Sequence, residues 1–302
     1  MQERLKIQFQ ALTLKNPLVM ASGTFGFGRE YAEIYDVEEL GGIVSKGLTL
    51  SPRTGNSGIR IWETDAGMLN SIGLENPGID RFIQNELPFM KSLNLISIIN
   101  ISGSTLSEYR LACEKISREK VDMIELNISC PNVKKGGIAF GLTQQSAGHI
   151  VKEVRKVIQV PLMVKLTPEA EDIASVAQAC EYEGADALSL VNTFRGMAID
   201  IDQKKPVFDN IYAGLSGPCI KPIALRMVYE VAKQVNIPVM GVGGIMNYQD
   251  VIKFMMAGAS AVQIGTANFI NPKMGEKILT DLEAYLIKNN IDHISELIGI
   301  LK

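Results

Sequence analysis

Eight times along its 302 residues the chain repeats one unit, a short apolar run followed by a helical segment. The runs are Leu18–Ser22, Ile43–Lys46, Leu95–Ile101, Met123–Ile128, Leu162–Leu166, Ala187–Asn192, Val239–Gly243 and Ala261–Gly265. Helical patterns lie near Arg29–Tyr35, Ile79–Leu93, Leu106–Arg118, Thr143–Gln159, Glu171–Glu183, Lys221–Val235, Tyr248–Met256 and Pro272–Lys288. Apolar runs of this kind read as strands buried on both faces, a property of parallel sheets covered by helices. Eight such units predict an α/β protein, a closed (β/α)8 TIM barrel forming a single domain over 1–302. A hairpin (Leu5–Phe9, Leu12–Leu14) precedes the first unit and is expected to plug one end. Inserted loops are expected after strands 2, 4 and 6, the longest covering 47–78 and 193–217, where barrels often carry lids or binding loops. A doubly wound open sheet is the alternative architecture.

Composition narrows the function. The net charge is −3 and no basic cluster stands out, which argues against nucleic acid as a partner. The opening Met-Gln-Glu-Arg-Leu-Lys has no signal-like apolar run, and no segment has the length of a membrane span, so a cytoplasmic protein without a membrane partner is expected. Four cysteines (Cys113, Cys130, Cys180, Cys219) lack paired spacing, and only two histidines occur, His149 and His293. Iron–sulfur, structural zinc and serine–histidine chemistry are therefore poorly supported, and no metal site is expected.

Barrel chemistry sits at the C-terminal ends of the strands. Those ends deliver Ser22, Ser45 with Lys46, Asn100, Asn127 with Cys130, Lys165, Val191-Asn192-Thr193, Gly243-Gly244 and Gly265-Thr266. So many polar side chains and glycines on one rim point to a site. The last two strand ends, each followed by a helix, suit a phosphate, and Gly217 before another helix can add amides. Gly23-Thr-Phe-Gly26-Phe-Gly28 has the wrong spacing for a dinucleotide fingerprint.

Two lysines ending interior strands, Lys46 and Lys165, call for an anion or an electron-rich ring, although a Schiff base is the competing use. Carboxamides both donate and accept, so Asn70, Asn127, Asn132 and Asn192 suit a ring with alternating N–H and C=O groups, such as a pyrimidine imide. Singly, each is an ordinary turn or cap residue. The stretch Glu125–Gly137 carries Asn127, Cys130 and Asn132 within six residues, running from a buried strand into a Gly-bearing loop.

Seven ordered motifs carry a resemblance over nearly the whole chain. They are Ala21–Gly28, Ser45-Lys-Gly47, Asn70-Ser-Ile-Gly-Leu-Glu-Asn-Pro-Gly78, Glu125-Leu-Asn-Ile-Ser-Cys-Pro-Asn132, Val164–Pro168, Gly214–Pro218 and Gly265–Phe269. The chain resembles class 1 dihydroorotate dehydrogenases, which implies an FMN-containing barrel that oxidises dihydroorotate to orotate in pyrimidine synthesis. By that resemblance Cys130 is the general base at C5, the hydride from C6 goes to FMN, and Lys165 stabilises the reduced flavin. The substrate set is Lys46, Asn70, Ser71, Ile72, Gly73, Leu74, Asn127, Asn132, Asn192 and Thr193. The FMN set is Ser22, Ser45, Lys46, Asn100, Asn127, Lys165, Val191, Gly217, Gly243, Gly244, Gly265 and Thr266.

The wording Asn132–Gly141 resembles the B-type subfamily. That implies a homodimer core in a heterotetramer, passing electrons to NAD through a partner subunit with FAD and a 2Fe-2S cluster. A homodimeric A-type enzyme using fumarate is the alternative, with a Schiff-base lyase or a non-catalytic barrel as readings from other classes. Arg195 receives no assignment from the sequence.

Overall fold

All eight apolar runs form strands, and the sheet they build closes on itself. The structure is a computed structural model and describes residues 2–129 and 140–301. The barrel strands are β1 (Leu18–Met20), β2 (Gly42–Val44), β3 (Ile96–Ile101), β4 (Met123–Asn127), β5 (Leu162–Lys165), β6 (Ala187–Leu190), β7 (Val239–Val242) and β8 (Ala261–Ile264). They pair in parallel and in chain order, and β6 closes the ring against both β5 and β7. Apart from the half-buried Ile96, every residue in these strands is buried. Outward side chains pack under the helices, inward ones fill the barrel, and one continuous core results.

Polar N-caps start several of the helices that follow these strands. Thr105, Thr143, Asp172 and Asn247 accept backbone N–H bonds at the starts of Leu106–Ser117, Gln144–Arg155, Ile173–Tyr182 and Tyr248–Met256. The pattern over Ile79–Leu93 forms two helices, Ile79–Asn85 and Leu87–Ser92. Pro88, at the start of the second, lacks the N–H that a continuous helix would need there. The hairpin pairs Ile7–Phe9 with Leu12–Leu14. Gln10 Nε2 donates to the Asp186 carbonyl just before β6, which places the hairpin at the N-terminal end of the barrel.

The long insertions after β2 and β6 depart from the expected loops, because they fold together. Ile61–Thr64 and Gly67–Asn70 from the first join Tyr212–Ser216 and Phe194–Met197 from the second in a four-stranded antiparallel sheet. Leu69, Val207, Phe208 and Ala213 give it a small core of its own. Arg195 belongs here. Its guanidinium lies over the Tyr212 ring at 5.5 Å, and Nε sits 3.6 Å from Glu169 on the loop after β5. Among the described residues no helix is long and apolar enough to cross a membrane, and no group of three potential ligands could hold a metal ion.

Candidate active site

One cavity opens at the C-terminal rim of the barrel, between the strand ends and the inserted sheet. Lys46, Asn127, Lys165, Val191, Asn192 and Thr193 line its middle. Asn127 and Lys165 come from neighbouring strands in register. The inserted sheet contributes Met68, Asn70 and Ser216, and the turn beyond it contributes Ile72 and Leu74. That turn is pinned from outside the cavity: Asn76 Oδ1 accepts from the Thr49 and Gly78 amides, and its Nδ2 donates to the Leu74 carbonyl. Asn70 Nδ2 donates to the Gly214 carbonyl at 3.1 Å across the sheet.

Beneath the asparagines the barrel interior is polar. Glu125 is fully buried and accepts from Asn100, Ser189 and Gln263. Asn127 is joined to Asn100 on one side and to Ser129 on the other, and Ser129 to Asn192. Tyr109, on the helix after β3, donates its hydroxyl to the Asn127 carbonyl at 2.6 Å and fixes the strand end. Sequence reading assigned no role to Glu125, Ser129, Ser189, Gln263 or Tyr109. The two-residue period of a strand was the available signal for Glu125, since it places Glu125 on the same inward face as Asn127.

At the other end the wall is backbone. Ser22, Gly217, Gly243, Gly244, Gly265 and Thr266 line it. Gly243 and Gly244 hold φ of +135° and +71°, a left-handed conformation that favours glycine. A Cβ on Gly244 would lie 2.8 Å from the Gly217 carbonyl and 2.9 Å from the Lys221 nitrogen. The cradle therefore exists only with glycine there. Asp250, almost fully buried, braces it by pairing with Lys221 at 2.9 Å and accepting from the Met246 amide at 3.1 Å. Thr266 Oγ1 and Ser216 Oγ stand 2.8 Å apart, linking the β8 end to the inserted sheet.

The two lysines differ. Lys165 is buried, yet among the described residues its ammonium has no acceptor within hydrogen-bond or ion-pair distance. Lys46 is half-buried, and desolvation holds its pKa below the ordinary lysine value, with Arg60 adding to that and Glu75 opposing it. Burial pushes the Cys113 thiol far up and the Cys180 thiol to about 12, so both are inert packing groups. Cys219 is half-buried, with its sulfur 3.7 Å from the Ser216 carbonyl.

Four predicted residues lie behind the cavity wall rather than on it. Ser45 is buried and its hydroxyl meets the Asn100 amide, while Asn100 points to Glu125. Ser71 is buried against Asn56, and Gly73 packs so tightly on Asn56 that a Cβ would come within 2.3 Å. Cys130 and Asn132 lie outside the described residues.

The sequence model of dihydroorotate dehydrogenase matches residues 4–286. The chain belongs to the dihydroorotate dehydrogenase family. It is 57% identical over 296 residues to a protein of Petrotoga mobilis, covering 98% of this chain and 99% of that one. It is 54% identical to one of Thermoanaerobacter pseudethanolicus (99% of each chain) and 49% to one of Geotalea daltonii (99% of this chain, 98% of the other). All three carry the name dihydroorotate dehydrogenase B (NAD(+)), catalytic subunit.

Dihydroorotate dehydrogenases of this family depend on FMN. The chain fits a flavin nucleotide: a Cβ-intolerant cradle of amides suits a phosphate, and the ammonium of the buried Lys165, with no acceptor among the described residues, suits an electron-rich ring. In this dihydroorotate dehydrogenase both features face one cavity.

Proposed function

We propose that the chain is the FMN-binding catalytic subunit of a B-type dihydroorotate dehydrogenase, oxidising (S)-dihydroorotate to orotate in de novo pyrimidine biosynthesis. The observation that carries the site assignment is Lys165, a buried residue on the wall of one cavity, in register with Asn127, whose ammonium has no acceptor among the described residues. A lysine with so little exposure is seldom left without a partner, so the site is built for one.

FMN, when bound, supplies the acceptor for the hydrogen and electron pair leaving C6 of the substrate. Gly217, Gly243, Gly244, Gly265, Thr266 and Ser22 would hold it at the cradle end, with Lys165 and Lys46 toward its ring and Ser45, Asn100 and Val191 shaping the floor. Asn70, Asn127, Asn132, Asn192 and Thr193 would hold the substrate ring. Lys46 would face the substrate carboxylate, and the 71–74 turn would close over it. Cys130 would take the C5 proton, so that the C5–C6 bond becomes double as that proton and the C6 hydride, two protons and two electrons in all, leave. A free thiol has a pKa of about 8.5, so this role requires the thiolate or a proton acceptor beside it.

The names of the relatives support a partner subunit. We infer that it carries FAD and a 2Fe-2S cluster and relays electrons to NAD, in a cytoplasmic heterotetramer built on a homodimer of this chain. The test is to purify the chain alone and with its partner. Alone, it should be yellow and bleach with dihydroorotate. NAD reduction should require the partner, and orotate formation with fumarate alone would instead indicate the A-type reading. Colourless protein that traps substrate under borohydride would point to lyase chemistry.

A further inference from the structure

We propose that Glu125 is a positioning residue: its carboxylate anchors the inner end of a hydrogen-bond chain that, with the backbone at the outer end, fixes how Asn127 and Asn192 present themselves to the substrate ring. The proposal rests on the reading of the cavity as the orotate site. Glu125 itself does not line that cavity. It is 0% exposed, two residues before Asn127 on β4, and accepts from Asn100 Nδ2 at 2.5 Å, Ser189 Oγ at 2.7 Å and Gln263 Nε2 at 2.7 Å. All three donors are neutral, and none of the described lysines or arginines is within ion-pair distance.

A carboxylate can only accept, whereas a carboxamide has one donating and one accepting end. Asn100 must therefore turn its Nδ2 down to Glu125, which leaves Oδ1 facing Asn127. Asn127 answers by donating Nδ2 to that oxygen at 3.4 Å, which turns its own Oδ1 toward Ser129. There Oδ1 accepts from the Ser129 amide at 3.2 Å and hydroxyl at 2.8 Å, and the Ser129 hydroxyl accepts from Asn192 Nδ2 at 2.8 Å. Every link donates toward Glu125. The backbone holds the far end in the same sense: the Ser129 N–H donates to Asn127 Oδ1, Asn192 Nδ2 donates to the Ser129 carbonyl at 3.2 Å, and the Thr193 N–H donates to Asn192 Oδ1 at 2.8 Å. Reversing Asn100 would set its NH2 against the Asn127 NH2, which this backbone keeps in place. The hydrogen-bonding positions left to a ligand are thus held from two ends, by the backbone and by an anion that never meets it.

The test titrates orotate into FMN-loaded protein by calorimetry, with flavin content and thermal unfolding measured on each variant. Glu125→Leu removes the acceptor, and orotate should bind about tenfold more weakly or worse at unchanged flavin content. Glu125→Gln keeps the shape of the side chain and a carbonyl for Ser189 and Gln263, but sets an NH2 against Asn100 Nδ2, so it too should weaken orotate binding about tenfold while melting near the parent. Unweakened binding by Glu125→Leu would reduce Glu125 to a space-filler. Parent-like binding by Glu125→Gln would mean that filling position 125, not the direction of the chain, matters. If Glu125→Leu does not fold, Glu125→Gln decides alone. A parent that takes up no FMN or binds no orotate would overturn the functional reading, and this assignment with it.

Discussion

Asn127 and Lys165 are register partners at the rim ends of β4 and β5, and both side chains enter the same cavity. The pairing follows from the parallel ladder, in which residues opposite each other point to the same face. Their backbones lie about one strand spacing apart, roughly 5 Å, so a carboxamide and an ammonium start from adjacent points on the wall. The floor of the cavity offers fixed donors without any rearrangement, which is how electrostatic stabilisation is made inexpensive at the moment of reaction.

Lys165→Ala removes the ammonium and leaves an uncharged gap. Flavin content should fall, or flavin that stays bound should be reduced by dihydroorotate about 100-fold more slowly, the range seen when one preorganised electrostatic group is removed. Absorbance of the purified protein and anaerobic stopped-flow reduction separate the two effects. Unchanged content together with unchanged reduction would falsify the role.

Cys130→Ser should keep FMN and orotate binding while slowing flavin reduction at neutral pH by about 10²–10⁴-fold, the usual worth of a positioned general base. A hydroxyl gives up its proton far less readily than a thiol, so the rate should recover as pH rises. The stopped-flow pH profile is the measurement, and a parent-like rate at pH 7 would remove Cys130 from the reaction.

The lowered pKa of Lys46 gives a pH dependence with a definite sign. An anionic substrate carboxylate favours the charged lysine, so orotate affinity should fall as pH rises through the Lys46 pKa, below the ordinary 10.5. Lys46→Arg keeps its charge throughout and should lose that alkaline decline, although the larger fork costs affinity at neutral pH. For the ligand-free fold the sign is opposite. Between the lowered pKa and 10.5 the unfolded chain binds the extra proton, so the Lys46 contribution to stability rises with pH there. Orotate titrations between pH 7 and pH 10 on both proteins would show it.

The barrel and its rim were legible because both follow from short-range rules. Unbroken apolar runs mark buried parallel strands, and strand ends mark the rim, so Lys46, Asn127, Lys165 and Gly243 were found by position alone. The inserted sheet was not legible. Ile61–Thr64 and Gly67–Asn70 find the rest of their sheet some 140 residues away, in Tyr212–Ser216, and nothing local announces that pairing. Ser45 and Asn100 show the same limit within the barrel. Their strand ends were identified, but a one-residue difference in where the strand meets the rim puts a side chain under the wall instead of on it. Glu125 was hidden for another reason: a charged residue in an apolar run has no explanation until its three donors, from three other strands, are brought together.

The cradle at the β7 end predicts a separable effect on cofactor and fold. Gly244 adopts φ +71°, and a Cβ there would meet Lys221 Cβ at 2.7 Å as well as the Gly217 carbonyl at 2.8 Å. Two of its three nearest obstacles are backbone, so Gly244→Ala must displace the 217–221 segment, at a cost of about 1–3 kcal/mol. Gly184, after the helix Ile173–Tyr182, has φ +101° but meets only the Arg155 side chain, at 3.3 Å and beyond. Gly184→Ala therefore bears backbone strain without touching the cavity. Both variants should melt a few degrees below the parent, by about 2–4 °C per kcal/mol in a chain of this size. Only Gly244→Ala should also lose FMN on gel filtration, because only there does the displaced backbone carry the amides that a phosphate would use. Equal flavin retention in the two variants would move the phosphate site away from this corner of the barrel.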